Sequence, residues 1–312
     1  MTRAALAICP EPPYPLAGGG AIRTASLLEY LARRYALDLI LFRRPGDPNP
    51  AAALPAGLAR KVWVLHLAAH GRSLPVRMAR NASRLLRGAP PLLDRFSGFA
   101  GEIGEIARQG SWDLAVIEHF WCAPYWEQVA PRSRRTVLDL HNIESLWHQR
   151  CARAQGGAAG LALAAFARRC LQLEARWLPR FTSVLAPSEP DCAAIGGIAP
   201  GCRAFAYANA LPPAVKRAER EVRNDIVFSG NLAYHPNILA VRYFRREIWP
   251  LLRARWPGLE WRLVGKNPQA VMRHVAGDER IRLSGPVENA VAELARAKVA
   301  VAPLLAGSGT RV

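Results

Sequence analysis

Short apolar runs alternate with helical patterns along the whole chain, and this limits the fold more than any other feature. Residues 4–9 read Ala-Ala-Leu-Ala-Ile-Cys, with no polar side chain. A loop containing Gly18-Gly19-Gly20 follows. Residues 22–34 then carry Leu27, Leu28 and Leu31 at helical spacing, and residues 37–42 form the next strand. A strand without a polar face must be covered on both sides, which is the situation in a parallel sheet. Strand, glycine loop, helix and strand in this order are the opening βαβ unit of a doubly wound sheet.

The pattern continues with strands at 61–67, 112–117, 135–139 and 183–186, and helices at 75–87, 96–109 and 160–177. Around 211–224 the composition shifts: Pro212, Pro213 and a charged stretch at 216–223 read as a linker. A second series follows, with strands at 225–228, 261–264, 281–284 and 299–302. Its helices are 237–255, bounded by Pro236 and Pro257, and 287–297. The expected fold is α/β, two Rossmann-like domains at 1–210 and 225–312 joined by 211–224. The first has six or more strands and the second about four. A glycine-rich turn after a buried strand normally launches a helix. None follows residues 307–311, so the second domain is expected to be incomplete at Val312.

Half of the residues are hydrophobic, 51%, which supports a sizeable core and excludes a disordered chain. The formal charge of +18 comes almost wholly from arginine and attracts phosphates, nucleic acid or anionic lipid. No compact basic run marks a nucleic-acid tail, so no nucleic-acid partner is expected. Residues 72–87 carry Arg72, Arg77, Arg80, Arg84 and Arg87 beside Val76, Met78, Leu85 and Leu86. Such a helix either packs on the sheet or lies against an anionic membrane surface. The six cysteines form no Cys-x-x-Cys pair and no zinc spacing, so free thiols and no metal site are expected. The run at 4–9 is too short for a signal peptide and that at 158–167 too short to span a bilayer. The expected location is cytoplasmic, with peripheral contact at the inner face of the cell membrane.

Several residues can carry chemistry. Gly18, Gly19 and Gly20 let a backbone approach a ligand closely at a helix start, where free N–H groups favour an anion; Arg23 in the first turn adds charge. The Gly-x-Gly-x-x-Gly fingerprint is absent. Asp139-Leu-His141-Asn142-Ile-Glu144 ends a strand. There His141 can bond a sugar hydroxyl or a phosphate, Asp139 can orient it and Asn142 can cap the next helix. Glycines at successive strand ends, Gly230, Gly265, Gly285, Gly307 and Gly309, make a backbone-rich rim that suits a nucleotide. Arg311 beside Thr310 can pair with a diphosphate through its fork of donors, and Lys266 is either a second cation there or a solvated surface lysine. Glu118-His119, Ser188-Glu189 and His235 also follow strands; Ser188 equally suits a helix cap.

The ordered set of these motifs resembles family 4 glycosyltransferases, in particular the branch encoded in bacterial exopolysaccharide clusters. The first half carries Pro13-Tyr14-Pro15 with Gly18-Gly19-Gly20, Asp139-x-His141-Asn142-x-Glu144, Pro187-Ser188-Glu189 and Asn209. The second carries Phe228-Ser229-Gly230, Pro236-Asn237, Val264-Gly265, Gly285-x-Val287, Ala302-Pro303-Leu304 and Gly307-Ser308-Gly309-Thr310-Arg311. The resemblance implies the GT-B architecture, two Rossmann-like domains facing a cleft. It also implies retaining transfer of a sugar from a nucleotide diphosphate sugar to a lipid-linked or polysaccharide acceptor, with no cofactor and no metal. It places His141 in the cleft, Gly19 and Gly20 near the donor phosphates, and Gly230 with residues 307–311 near the diphosphate. The family's Arg and Lys after its first donor-domain strand are replaced here by residues 231–237, Asn-Leu-Ala-Tyr-His-Pro-Asn. Its paired glutamates would fall just beyond Arg311, so the 312 residues alone are expected to be weakly active or inactive. The alternatives are a non-catalytic nucleotide- or sugar-binding remnant and a nucleotide-sugar epimerase, which shares the architecture.

Overall fold

The structure is a computed structural model and describes residues 3–16, 18–71, 73–209, 222–287 and 290–307. The described chain divides into two compact units. One holds residues 3–149 and 162–209, the other residues 150–161 and 222–307. Of the expected linker, residues 211–221 lie outside the described residues.

The first unit is built on a seven-stranded sheet. Its strands are β1 (Ala4–Cys9), β2 (Ala36–Arg43), β3 (Lys61–His66), β4 (Leu114–Glu118), β5 (Thr136–Asp139), β6 (Ser183–Ala186) and β7 (Ala204–Ala206). They pair in the order β3-β2-β1-β4-β5-β6-β7, every pair parallel, with Ala7 opposite both Leu39 and Val116. Five of the six β1 residues are buried, as an all-apolar strand requires. One core layer gathers Leu6, Ile8, Ile40, Phe42, Ile117 and Leu138; the opposite one gathers Ala5, Ala7, Leu28, Leu39 and Val116. Strand order reverses between β1 and β4. Ligands of open α/β sheets bind beyond the strand ends at such a reversal.

The helices used below are α1 (Gly19–Ala32), α2 (Leu74–Arg87), α3 (Ala100–Arg108), α4 (Glu144–Gln155), α5 (Gly157–Trp177) and α6 (Glu189–Ile198). α1 starts at Gly19, three residues before the leucine spacing indicates. The helix expected over 96–109 begins only at Ala100, because Gly98 sits at φ 97°, outside helical conformation. Helices follow Asn142 and Ser188, as their reading as caps implies, while β7 has no counterpart in the pattern.

The second unit carries β8 (Arg223–Ser229), β9 (Glu260–Val264), β10 (Ile281–Gly285) and β11 (Ala297–Ala300), parallel in the order β10-β9-β8-β11. Trp249 and Trp261 are fully buried at its centre with Phe228, Leu263 and Val271. The last strand lies two residues earlier than the expected 299–302. The helix expected over 237–255 is α7 (His235–Tyr243) and α8 (Trp249–Arg255), joined by a π-helical turn at Phe244–Ile248. Pro250 has no N–H to donate to the carbonyl one turn back, and the widened turn directly precedes it.

Candidate functional site

β4 and β5 end side by side, with Glu118 opposite Asp139. The two carboxylates are fully buried, and each has a cation. Asp139 accepts from Arg23 Nε at 2.9 Å and Nη2 at 2.5 Å, a bidentate pair with both side chains inside the protein. Arg23 Nη1 also donates to Asn209 Oδ1 at 3.0 Å and to the Tyr207 carbonyl, and its guanidinium lies 4.5 Å from the centre of the Tyr207 ring. Arg23, expected to offer charge to a ligand, is instead 2% exposed and tied within the fold.

The cation of Glu118 is His141, in the turn from β5 to α4. His141 Nε2 donates to Glu118 Oε2 at 2.9 Å and lies 3.5 Å from Asp139 Oδ2. Thr24 Oγ1 donates to the same Glu118 oxygen at 3.1 Å. Glu118 therefore joins Asp139 in orienting His141. Burial disfavours a charged imidazole, but the hydrogen bonds to Asp139 and Glu118 outweigh it and push His141 up to about 9. Burial, and then the Asp139 charge, raise Glu118, so the Glu118–His141 pair holds a proton through neutral pH. With His141 charged, two cations balance two carboxylates, and a buried cluster is tolerable only when so paired.

His119 completes the arrangement. Its φ of 62° is rare for a residue with a Cβ. Its ring lies 3.7 Å, centroid to centroid, from that of His141 and stacks at 4.1 Å on Trp121, which in turn stacks on Phe96. Burial, and then the charges of His141 and Arg23, hold His119 well below the ordinary histidine range, so it is neutral. A neutral ring carried by a positive-φ turn is the support against which His141 rests.

The start of α1 faces this group. A Cβ built on Gly20 would lie 3.6 Å from His141 Nδ1. Gly18 occupies the cap position without a capping side chain, and the first turn has no acidic residue. Amide groups and a partial positive charge at that end favour an anion. A second acid pair lies behind the site. Glu144 Oε1 accepts from Trp121 Nε1 at 3.0 Å, while Glu174 on α5 accepts from the Ser145 amide at 3.1 Å and from its hydroxyl. Burial and the Glu174 charge push Glu144 up to about 8, and burial pushes Glu174 up to about 7.

Glu118, Asp139 and His141 offer three donor atoms within 4.8 Å of one another, a spacing that a metal ion could use. Arg23 already takes both Asp139 oxygens and brings positive charge beside them, so this donor set fits an ion poorly.

In the second unit, the ends of β8, β9 and β10 form a tightly laced rim. The Gly230 amide donates to the Val264 carbonyl at 3.0 Å and the Gly265 amide to the Gly285 carbonyl at 2.8 Å. Asn237 Nδ2 and Asn267 Nδ2 both reach Asn231, at 2.9 Å each. Gly265 has φ 141°, and a Cβ there would fall 1.8 Å from the Gly230 carbonyl oxygen, so only glycine fits. Lys266 is exposed on this rim, and His235, half-buried, opens α7. Burial, and then Arg242, lower its pKa. Ser188 caps α6, accepting from the Asp191 amide at 3.3 Å and donating to its carboxylate at 2.6 Å. Asn142 follows His141 before α4. Gly307 is described, with φ 115°; Gly309, Thr310 and Arg311 lie outside the described residues.

The sequence pairs Asp139 with His141 and treats the glycine loop at 18–20 as a separate site; the structure brings Gly20 to His141. Sequence reasoning left Glu118 and His119 as equally structural, and it did not connect Tyr207 or Glu174 to the site. The Glu118-His119 dipeptide at the end of an apolar strand was the available signal.

Residues 223–312 match the family model described as Glycosyl transferases group 1. No curated protein sequence matches the chain. Among solved structures, the trehalose-6-phosphate enzyme of E. coli bound with UDP-2-fluoro glucose is similar with TM-score 0.58 at 11% identity, over 99% of this chain and 80% of that one. An α,α-trehalose-phosphate synthase (UDP-forming) of Burkholderia vietnamiensis gives TM-score 0.59 at 12% identity, over 99% and 80%. HepE of Anabaena in complex with UDP and glucose gives 0.54 at 13%, over 96% and 73%. At these identities the likeness is one of fold, and the fold is GT-B.

Proposed function

We propose that the chain is a glycosyltransferase that moves a sugar from a nucleotide diphosphate sugar to a lipid-linked or polysaccharide acceptor, with retention of configuration and without a metal. The observation that carries this reading is the buried His141–Glu118 pair at the start of α1, at the strand-order reversal of a GT-B fold. The group 1 match over the second unit and the uridine nucleotides bound by the structural relatives support it.

In this reading His141 is the catalytic residue. Breaking a glycosyl–phosphate bond leaves negative charge on the departing diphosphate and positive character at the anomeric carbon. A site without a metal stabilises that charge with fixed cations and oriented N–H groups. A charged His141 donates a hydrogen bond to the donor, and the amides at Gly19 and Gly20 add theirs. Glu118 and Asp139 keep His141 protonated and aimed, and Arg23 holds Asp139 in place. Taken by itself, the second unit offers a nucleotide the glycine-rich strand ends around Gly230 and Gly265, with Lys266 exposed beside them.

The test is release of nucleoside diphosphate from a panel of nucleotide sugars, beginning with uridine donors, with isothermal titration of each donor alongside. His141→Ala is expected to cut turnover roughly a hundredfold or more while leaving donor binding within a few-fold. Donor binding without any transfer by the wild type would make the protein a nucleotide-sugar-binding remnant. Absence of donor binding would overturn the reading altogether.

A further inference from the structure

Helix α2 is mounted inside out. Its sequence, Leu74-Pro-Val-Arg-Met-Ala-Arg-Asn-Ala-Ser-Arg-Leu-Leu-Arg87, separates an apolar side from a basic one. At 3.6 residues per turn, Leu74, Met78 and Leu85 fall within about 40° of one another, with Ala82 and Leu86 next to them. A helix covering a globular core turns that side inward. Here the one buried residue is Arg84, whose Nε donates to Asp94 at 2.8 Å; Arg87 binds the other Asp94 oxygen at 3.0 Å. Arg80 also leans inward, to the Gly71 carbonyl at 3.2 Å. Leu86 is 90% exposed, Leu74 66% and Met78 63%, with Leu85 and Val76 exposed as well. Gly88 ends the helix at φ 57° and lies against the Arg169 side chain of α5, so Arg169 borders the same surface.

We propose that the outward face of α2 is a docking surface for an anionic phospholipid bilayer. Charge selects this occupant. α2 holds four arginines and no acidic residue, in a chain of net charge +18. Arg77 is exposed beside the apolar strip, and a helix with leucines flanked by arginine lies in the plane of a headgroup layer. Leu74, Met78, Leu85 and Leu86 enter the acyl boundary, while Arg77 and Arg169 meet lipid phosphates. The Asp94 clamp on Arg84 and Arg87 fixes which side faces out. Among the described residues no helix is long and apolar enough to cross a membrane, so this contact is peripheral.

The experiment is co-sedimentation of the protein with phosphatidylglycerol–phosphatidylcholine vesicles and with pure phosphatidylcholine vesicles, at low and high salt. Wild type is expected to sediment with the anionic vesicles at low salt, and binding should weaken as salt rises. Met78→Ser with Leu86→Ser should lower the partition coefficient roughly ten- to a hundredfold. Arg77→Glu should lower it several-fold and reduce the salt dependence. Both variants alter only exposed side chains and are expected to melt like wild type and to bind a nucleotide sugar unchanged, which separates this surface from the site at His141. Failure of wild type to sediment at low salt would overturn the proposal. So would wild-type binding by the Met78/Leu86 variant, or self-association of wild type that this variant abolishes, since that would make the face a protein interface.

Discussion

His141 Nε2 lies 2.9 Å from Glu118 Oε2, Glu118 ending β4 and His141 lying two residues beyond the end of the neighbouring β5, and neither is accessible enough for water to carry the charge instead. Glu118→Gln keeps the shape and removes the anion. The histidine should then titrate at least one pH unit lower by NMR, and turnover at pH 8 should fall about twofold or more as the charged fraction drops. If Glu118 served packing alone, the histidine titration would not move.

Arg23 and Asp139 form the other half of the cluster. Replacing Arg23 by Met leaves Asp139 buried without its cation, and removing one partner of such a pair costs about 3–5 kcal/mol. Urea unfolding of Arg23→Met should show a loss of that size. Arg23→Met with Asp139→Leu should recover part of it, because the stranded charge is gone.

Three raised groups make stability depend on pH with one sign. His141 is raised from 6.5 to about 9, so its contribution is complete below pH 6.5 and is lost as pH climbs through 9. Glu144 and Glu174 rise from 4.5 to about 8 and about 7, so the native chain keeps protons that the unfolded chain releases above pH 4.5. Stability held by these groups therefore falls between pH 4.5 and 8. Glu144→Gln should raise stability by under about 1 kcal/mol at pH 5 and by about 4 kcal/mol at pH 8, read by denaturant titration at both values.

The Gly265 backbone touches the Gly230 carbonyl, and no side chain fits between them. Gly265→Ala should destabilise the second unit by about 2–4 kcal/mol. Tryptophan fluorescence should detect this, because Trp249 and Trp261 fill that core. A variant that melts like wild type would show that the rim yields easily.

The strands were legible because each is a short apolar run closed by a turn residue, and parallel pairing follows from strands without a polar face. Residues 4–9, 183–186 and 261–264 are examples. Glycine positions at strand ends pointed to both rims. The hidden parts depend on distance and conformation. Arg23 reads as a ligand cation in the first turn of a helix because its partners, Asp139, Tyr207 and Asn209, lie 116 to 186 positions away. His119 adopts a backbone conformation that nothing in its neighbours' chemistry demands. β7 is three residues at a sheet edge, too short to show a period, and the apolar spacing over 96–109 ran through Gly98 as though it were helical.

The long reach of Arg23 also has a consequence for how the protein is made. Its guanidinium is satisfied by Asp139, which ends the fifth strand of the sheet, and by Tyr207 and Asn209, which follow the seventh. During vectorial synthesis the first five strands emerge while Tyr207 and Asn209 are still unmade, so Arg23 can pair with Asp139 but its Nη1 still lacks both of its acceptors. The arginine half of the His141 site is therefore completed late in translation, once the chain just beyond the edge strand β7 has docked. A nascent chain released before residue 207 would carry every residue proposed for the chemistry of the first unit and still leave Arg23 Nη1 without the acceptors that complete its burial.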